Sequence, residues 1–222
     1  MGQFISSLLV DVLLRTYPPT EPRIESMRDF EELGPASDIK IGDTTWTGWT
    51  LGAVQVLESA GHSAGGCIFY LPEHAILMLA DETTNAPIWA DSNPANTVRT
   101  ARRALTMQGT GHLEQICAGH RPMLPLRGAE ATEMLTGLIT AADEFSGTVG
   151  DVLARNESGL TIDELYSELT TDAQPGLLVD LLHRLQFPVF GTFMKLTLLN
   201  HCLLLGFPQG TDDQGRPTFR AG

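Results

Sequence analysis

The sequence predicts an α/β protein, and three features predict it. Between Ile39 and Asp81 the runs IKIGD, TTWTGWTL, AVQVLES, GCIFYLP and AILMLAD are short, β-rich or apolar, and separated by turn residues, the pattern of strands buried on at least one face. Pro94 to Gln108 reads as a helix stopped by Gly109-Thr110-Gly111, and Leu113 to Ala118 as a further strand. Strands that alternate with helices point to an α/β core. After Gly147 the character changes to helical pieces with short polar joints.

The remaining elements follow in order. Ile5, Leu8, Leu9, Val12 and Leu13 lie at helical spacing over residues 4 to 16, with Pro18 and Pro19 as a stop. Thr20 to Asp38 is polar, carries Pro22, Gly34 and Pro35, and reads as an irregular connector with at most a short helix over 24 to 33. Ala129 to Phe145 is an amphipathic helical run. Thr161 followed three residues later by Glu164 has the spacing of a capping box at a helix start. Met194 to Leu205 reads as an apolar helix, and Asp213-Gln214-Gly215 as the turn of a short hairpin. Helices followed by a hairpin suggest a small winged-helix-like appendage. The expected division is therefore an N-terminal helix and connector at 1–38, an α/β core at 39–145 and the appendage at 146–222.

Composition narrows the partners. A hydrophobic fraction of 42% and a charged fraction of 18% are those of a folded chain. Fourteen basic against 27 acidic residues leave a net charge of −13, a field that repels phosphate backbones and anionic lipid head groups, so no nucleic-acid and no membrane partner is expected. Cys67, Cys117 and Cys202 are an odd count without C-x-x-C spacing, which points to a reducing compartment and a cytoplasmic location. The run Phe4 to Leu14 has no basic stretch before it, is interrupted by Asp11 and reads as neither a signal peptide nor a membrane span. Met1-Gly2-Gln3-Phe4-Ile5-Ser6 fits the short myristoylation pattern, one that arises often by chance.

Three candidate metal ligands stand at strand ends. Gly61-His62 follows AVQVLES, Asp81 ends AILMLAD, and Gly119-His120 follows LEQICA. A glycine lets the backbone turn sharply and aim the next imidazole across the strand ends. Taken singly, each has a plainer reading: a loop histidine bonded to a carbonyl, or an aspartate in a turn or cap. His74 and His112 fall at the opposite ends of their strands, and His183 and His201 in the appendage, so all four read as surface or helix histidines. Glu82, Asp91 and Asn93, in the segment after Asp81, are the other polar residues able to approach the site. Ser63 lacks the G-x-S-x-G elbow of a nucleophile and reads as a turn serine, and no phosphate-cradling Gly-Lys-Ser/Thr loop occurs. Trp46 and Trp49 read as an aromatic strand pair packed on a helix.

The order of these pieces carries a resemblance. Gly-His-Ser-x-Gly-Gly, two apolar strands ending in Ala-Asp, a helix, a strand and Gly-His-x-Pro resemble the second half of a metallo-β-lactamase superfamily hydrolase, over about residues 40 to 125 and loosely in the tail. The resemblance implies a partial αββα sandwich in which His62, Asp81 and His120 are metal ligands. It implies zinc, iron or manganese as the cofactor, at most partially bound, and metal-activated water attacking a small ester, thioester or lactone. The family's H-x-H-x-D-H motif has no counterpart, because the first histidine of the sequence is His62. The chain alone is therefore expected to be incomplete or impaired as a hydrolase. The competing reading is a non-catalytic half-fold that serves as a binding or assembly module, with a second chain or an oligomer mate covering an exposed sheet edge. A third is a single-metal protein working with His62, Asp81 and His120 alone.

Overall fold

A computed structural model describes residues 34–82, 91–119, 125–171 and 188–222. The chain divides into two units, 1–35 and 36–222, and the strands and helices named below belong to the second. The helix expected over 4–16, most of the connector at 20–38, His120 and His183 lie outside the described residues.

Seven strands form one sheet in sequence order: β1 (Ser37–Ile41), β2 (Thr44–Leu51), β3 (Val54–Glu58), β4 (Cys67–Leu71), β5 (Ile76–Met78), β6 (Gln115–Cys117) and β7 (Leu126–Arg127). Neighbours are antiparallel except β5 and β6, which are parallel because the helix α1 (Pro94–Gly109) crosses between them. Every strand expected from the apolar runs is present, and the two-residue β7 is additional.

Period-two alternation gives the sheet two different faces. On the inner face Ile39 pairs with Trp46, Leu57 with Ile68, and Leu77 with Ile116, all buried. This face belongs to a core completed by Ala101, Ala104 and Met107 of α1 and by Ala131, Met134, Leu135 and Leu138 of the long helix α2 (Gly128–Ala154). On the outer face the pairs Trp49–Val56, Val56–Phe69, Phe69–Met78 and Met78–Cys117 run as one row across five strands. Phe69 and Met78 in that row are 37% and 43% exposed.

Helix α2 runs nine residues beyond the Phe145 expected from the sequence, through Gly147 and Gly150. Each glycine costs a helix interior about 1 kcal/mol. The apolar stripe nevertheless continues with Phe145, Val149, Val152 and Leu153, which enter a second core, so burial outweighs the local propensity. One helix thus contributes to both cores. The second core is completed by α3 (Ile162–Thr171), α4 (Pro188–Leu204) and a three-stranded sheet of β8 (Leu160–Thr161), β9 (Gln209–Thr211) and β10 (Pro217–Phe219) in the order β8-β10-β9. The capping box closes as expected: Glu164 N donates to Thr161 Oγ1 at 3.3 Å, and Thr161 N to Glu164 Oε2 at 2.8 Å. The hairpin turns at Asp212–Arg216, where Asp212 Oδ1 accepts from the backbone N–H groups of Gln214 and Arg216.

His201 lies in a helix, one of the two settings expected of it, and is buried there. It is 1% exposed inside the second core, its ring edge-on to Phe145 with centroids 4.5 Å apart, and neither ring nitrogen has a hydrogen-bond partner among the described residues. Burial pushes its pKa down to about 4, and pushes the thiol of the adjacent Cys202 up to about 12. A lowered histidine pKa means that the unfolded chain takes up the proton first as pH falls. The resulting loss of stability is absent above the unfolded value of 6.5 and grows between 6.5 and about 4. Urea unfolding at about pH 7.5 and about pH 4 is expected to differ by roughly 3 kcal/mol from this group, a difference that His201→Leu removes. An equally steep acid loss in His201→Leu would assign it to other groups.

Candidate functional site

Strand direction decides where the chemistry-bearing residues gather. Because β3 and β4, and β4 and β5, are antiparallel while β5 and β6 are parallel, β3, β5 and β6 all run the same way. Their C-terminal ends lie along one end of the sheet. Gly61-His62 follows β3 there, Asp81 follows β5, and Gly119 follows β6 with His120 next in sequence.

The β5 and β6 ends stay in register past the strands. Leu79 N donates to Cys117 O at 2.8 Å and Gly119 N to Ala80 O at 3.0 Å. Glycine is required at 119, where a methyl group would stand 2.5 Å from Ala80 O and 3.4 Å from Asp81 Oδ1. Both turns that present candidate ligands pass through a left-handed alanine, Ala60 at φ 49° and Ala80 at φ 48°. Few residues without glycine's freedom adopt that region, and holding one there costs of order 1 kcal/mol or more. The surrounding bonds must supply it.

Those bonds centre on Glu82, which is 4% exposed. Its Oε1 accepts from the backbone N–H of Gly61 and of His62, both at 2.8 Å, and its Oε2 accepts from Thr97 Oγ1 at 3.3 Å. Gly61 is pressed so closely on this carboxylate and on the Thr97 hydroxyl that a methyl group there would overlap both. The start of α1 holds the other side of the loop. Asn93 N donates to Gly61 O at 2.7 Å, Asn96 Nδ2 donates to Ala60 O at 2.9 Å, and Asn93 Oδ1 caps the helix by accepting from Asn96 N at 3.2 Å. Asp91 Oδ2 accepts from Ala64 N at 3.2 Å. Ser59 N and Ala60 N both donate to Gly66 O at 3.0 Å and close the loop's neck. From α4, Asn200 Nδ2 donates to the carbonyl of buried Ser92 at 2.6 Å, tying that helix to the segment before α1.

The sequence expectations divide accordingly. His62 and Asp81 reach the same end of the sheet, and His120 lies outside the described residues. Glu82, Asp91 and Asn93 all approach the His62 loop, and their bonds to its backbone make them its clamp. Asn96 and Thr97 carry only a weak sequence signal, that of polar residues in the first turn of a helix. Ser63 sits in a tight turn, its carbonyl accepting from Gly66 N at 2.9 Å. His74 ends a 3₁₀ turn (Pro72–His74) between β4 and β5, and His112 precedes β6, both at the far end as expected. Among the described residues no group of three or more His, Cys, Asp or Glu side chains is close enough to hold a metal.

Comparison with solved structures gives two neighbours of similar fold. A beta-lactamase domain protein from Burkholderia ambifaria matches with a TM-score of 0.54 and 17% identity over 92% of this chain and 54% of its own. A metallo-beta-lactamase family protein from Thermus thermophilus matches with a TM-score of 0.50 and 18% identity over 97% of this chain and 64% of its own. The fold is a partial metallo-β-lactamase fold. The chain spans little more than half to under two thirds of these two proteins. No protein-family model and no curated protein matches the sequence.

Within this metallo-β-lactamase fold the tryptophans do not act as a pair. Trp46 is fully buried on the inner face beneath the guanidinium of Arg103, whereas Trp49 is half-buried on the outer face. Residues three apart in a strand point to opposite sides, so a shared contact with one helix is geometrically closed to them.

Proposed function

We propose that this chain is a partial hydrolase of the metallo-β-lactamase fold in which His62, Asp81 and His120 hold a divalent metal, zinc, iron or manganese, for the hydrolysis of a small ester, thioester or lactone. The observation that supports the reading is the common direction of β3, β5 and β6, whose C-terminal ends, followed by Gly61-His62, Asp81 and Gly119, lie at one end of the sheet. The donor set fits the group: two imidazoles and a carboxylate suit these metals, and Asp81 Oδ1 lies beside Gly119, the residue before His120. The metal would supply Lewis acidity and acidify water for attack at neutral pH. The chain's own contribution is placement. Glu82 holds the N–H of His62, α1 holds the carbonyls of Ala60 and Gly61, and the left-handed turn at Ala80 presents Asp81. With no H-x-H-x-D-H motif in these 222 residues, hydrolysis by this chain alone is impaired.

Elemental analysis of the purified chain is the test. At most about one divalent metal per chain is expected, partially bound, with the amount falling to roughly a tenth or less in His62→Ala and in His120→Ala. Metal content unchanged in both variants would overturn the ligand assignment.

A second reading, a non-catalytic module that assembles with another chain, is favoured by one specific observation. The outer row Trp49, Val56, Phe69, Met78 and Cys117 is an apolar sheet face, with Phe69 and Met78 more than a third exposed. A partner would lie on the face of the sheet, not on the edge expected from sequence. A chain that binds no metal and self-associates through Phe69 and Met78 would support this reading over the first. Under either reading, residues 146–222 are read as a winged-helix-like appendage, supported by α3 and α4 preceding the β9–β10 hairpin.

A further inference from the structure

We propose that the outward face of α1 and the β1–β2 turn form a binding site for a compact phosphorylated small molecule, separate from the candidate metal site. A cavity of about 430 Å³ opens there, and Arg99, Arg102 and Arg103 line it together with Asp43, Thr45 and Thr106. The volume is within the range of small-ligand sites.

The three arginines give the cavity its character. At positions i, i+3 and i+4 they share one helix face, an arrangement of like charges that weakens a helix. The chain has 27 acidic residues against 14 basic ones, yet among the described residues no carboxylate forms an ion pair with any of the three. Asp43 also lines the cavity but forms no ion pair with the three arginines, so three guanidinium charges face one carboxylate. Arg103 is fixed in place, its guanidinium 5.1 Å from the centroid of the fully buried Trp46 ring. Burial and the neighbouring Arg99 charge depress its pKa, the direction expected where cations are crowded without a counter-ion.

Guanidinium groups present planar forks of N–H donors that match phosphate oxygens two at a time, and three converging forks suit a phosphomonoester or diphosphate better than a single carboxylate. The hydroxyls play a smaller part, since Thr106 Oγ1 already donates to Arg102 O at 3.1 Å. A nucleic-acid backbone is a poor occupant for a chain of net charge −13. The site lies on the helix whose first turn clamps the His62 loop through Asn96 and Thr97.

Titration calorimetry with inorganic pyrophosphate, and separately with citrate, at low salt and at about 0.15 M salt tests the proposal. Pyrophosphate is expected to bind the full chain, more weakly as salt rises, and Arg99→Gln combined with Arg102→Gln to weaken it by at least about tenfold. Arg103 is left unchanged because its packing on Trp46 belongs to the core. His62→Ala is expected to leave this binding intact. Absence of pyrophosphate binding, binding indifferent to the double arginine variant, or binding lost in His62→Ala would each overturn the site. Citrate binding as tightly as pyrophosphate would overturn the assignment of phosphate as its ligand class.

Discussion

Glu82→Ala is expected to destabilise the protein by roughly 3–5 kcal/mol and, if the proposed metal site at His62 holds, to lower its metal content. Three donors lose their acceptor at once: the backbone N–H groups of Gly61 and His62 and the hydroxyl of Thr97. Water has little access to replace it, since Glu82 and Thr97 are both buried. Each buried donor left unmade costs about 1–3 kcal/mol, and bonds to a carboxylate lie in the upper part of that range. The loop after the left-handed Ala60 loses two of its backbone anchors, at Gly61 N and His62 N, while those to Asn93, Asn96 and Gly66 remain, so the segment carrying His62 is held less firmly. Glu82→Gln keeps an acceptor for the two backbone N–H groups and sets an amide against Thr97, and a cost of about 1–2 kcal/mol is expected. Urea unfolding with parallel metal analysis checks both. A Glu82→Ala protein within about 1 kcal/mol of the parent would show that the clamp contributes little.

Gly48→Ala is expected to cost about 3 kcal/mol or more, although it adds one methyl group at a position without unusual backbone angles. Gly48 faces inward from β2 opposite Leu57, and a Cβ there would overlap the carbonyl oxygen of Val56 and come within 3.1 Å of Leu57 Cα. Those are backbone atoms of the neighbouring strand and cannot rotate away. Relief requires β2 and β3 to part between Trp46 and Leu57, both fully buried. Gly65→Ala is the matched control, because a methyl group at 65 meets nothing within 4 Å, and a change within about 0.5 kcal/mol is expected. Equal unfolding midpoints for the two variants would refute the steric account.

The strands were legible because their physics is local. TTWTGWTL alternates a buried and an exposed side chain, and β2 occupies those eight residues. Thr161 and Glu164 announced their capping box because both partners lie within one helical turn. The C-terminal extent of α2 was not legible. Gly147 and Gly150 are poor helix residues, and only the second core explains why the helix continues past them. The burial of His201 was not legible for a similar reason: a histidine in a helix shows no sign in sequence of which neighbours will exclude water from it.

The candidate site shows the same division. The sequence by itself determined that two Gly-His pairs and an aspartate stand at strand ends, that no histidine precedes His62, and that the chain carries a net charge of −13. These are properties of composition and of near neighbours along the chain. Only the tertiary structure decided that β5 and β6 are parallel, which directs β3, β5 and β6 to one end of the sheet. It also decided that Glu82 is a buried clamp, that Trp46 and Trp49 are separated by the sheet, and that three arginines of one helix share a cavity without an ion-paired carboxylate among the described residues. The physical reason is that strand direction, desolvation and charge pairing are set by residues far apart in sequence, through contacts that exist only once the chain has folded.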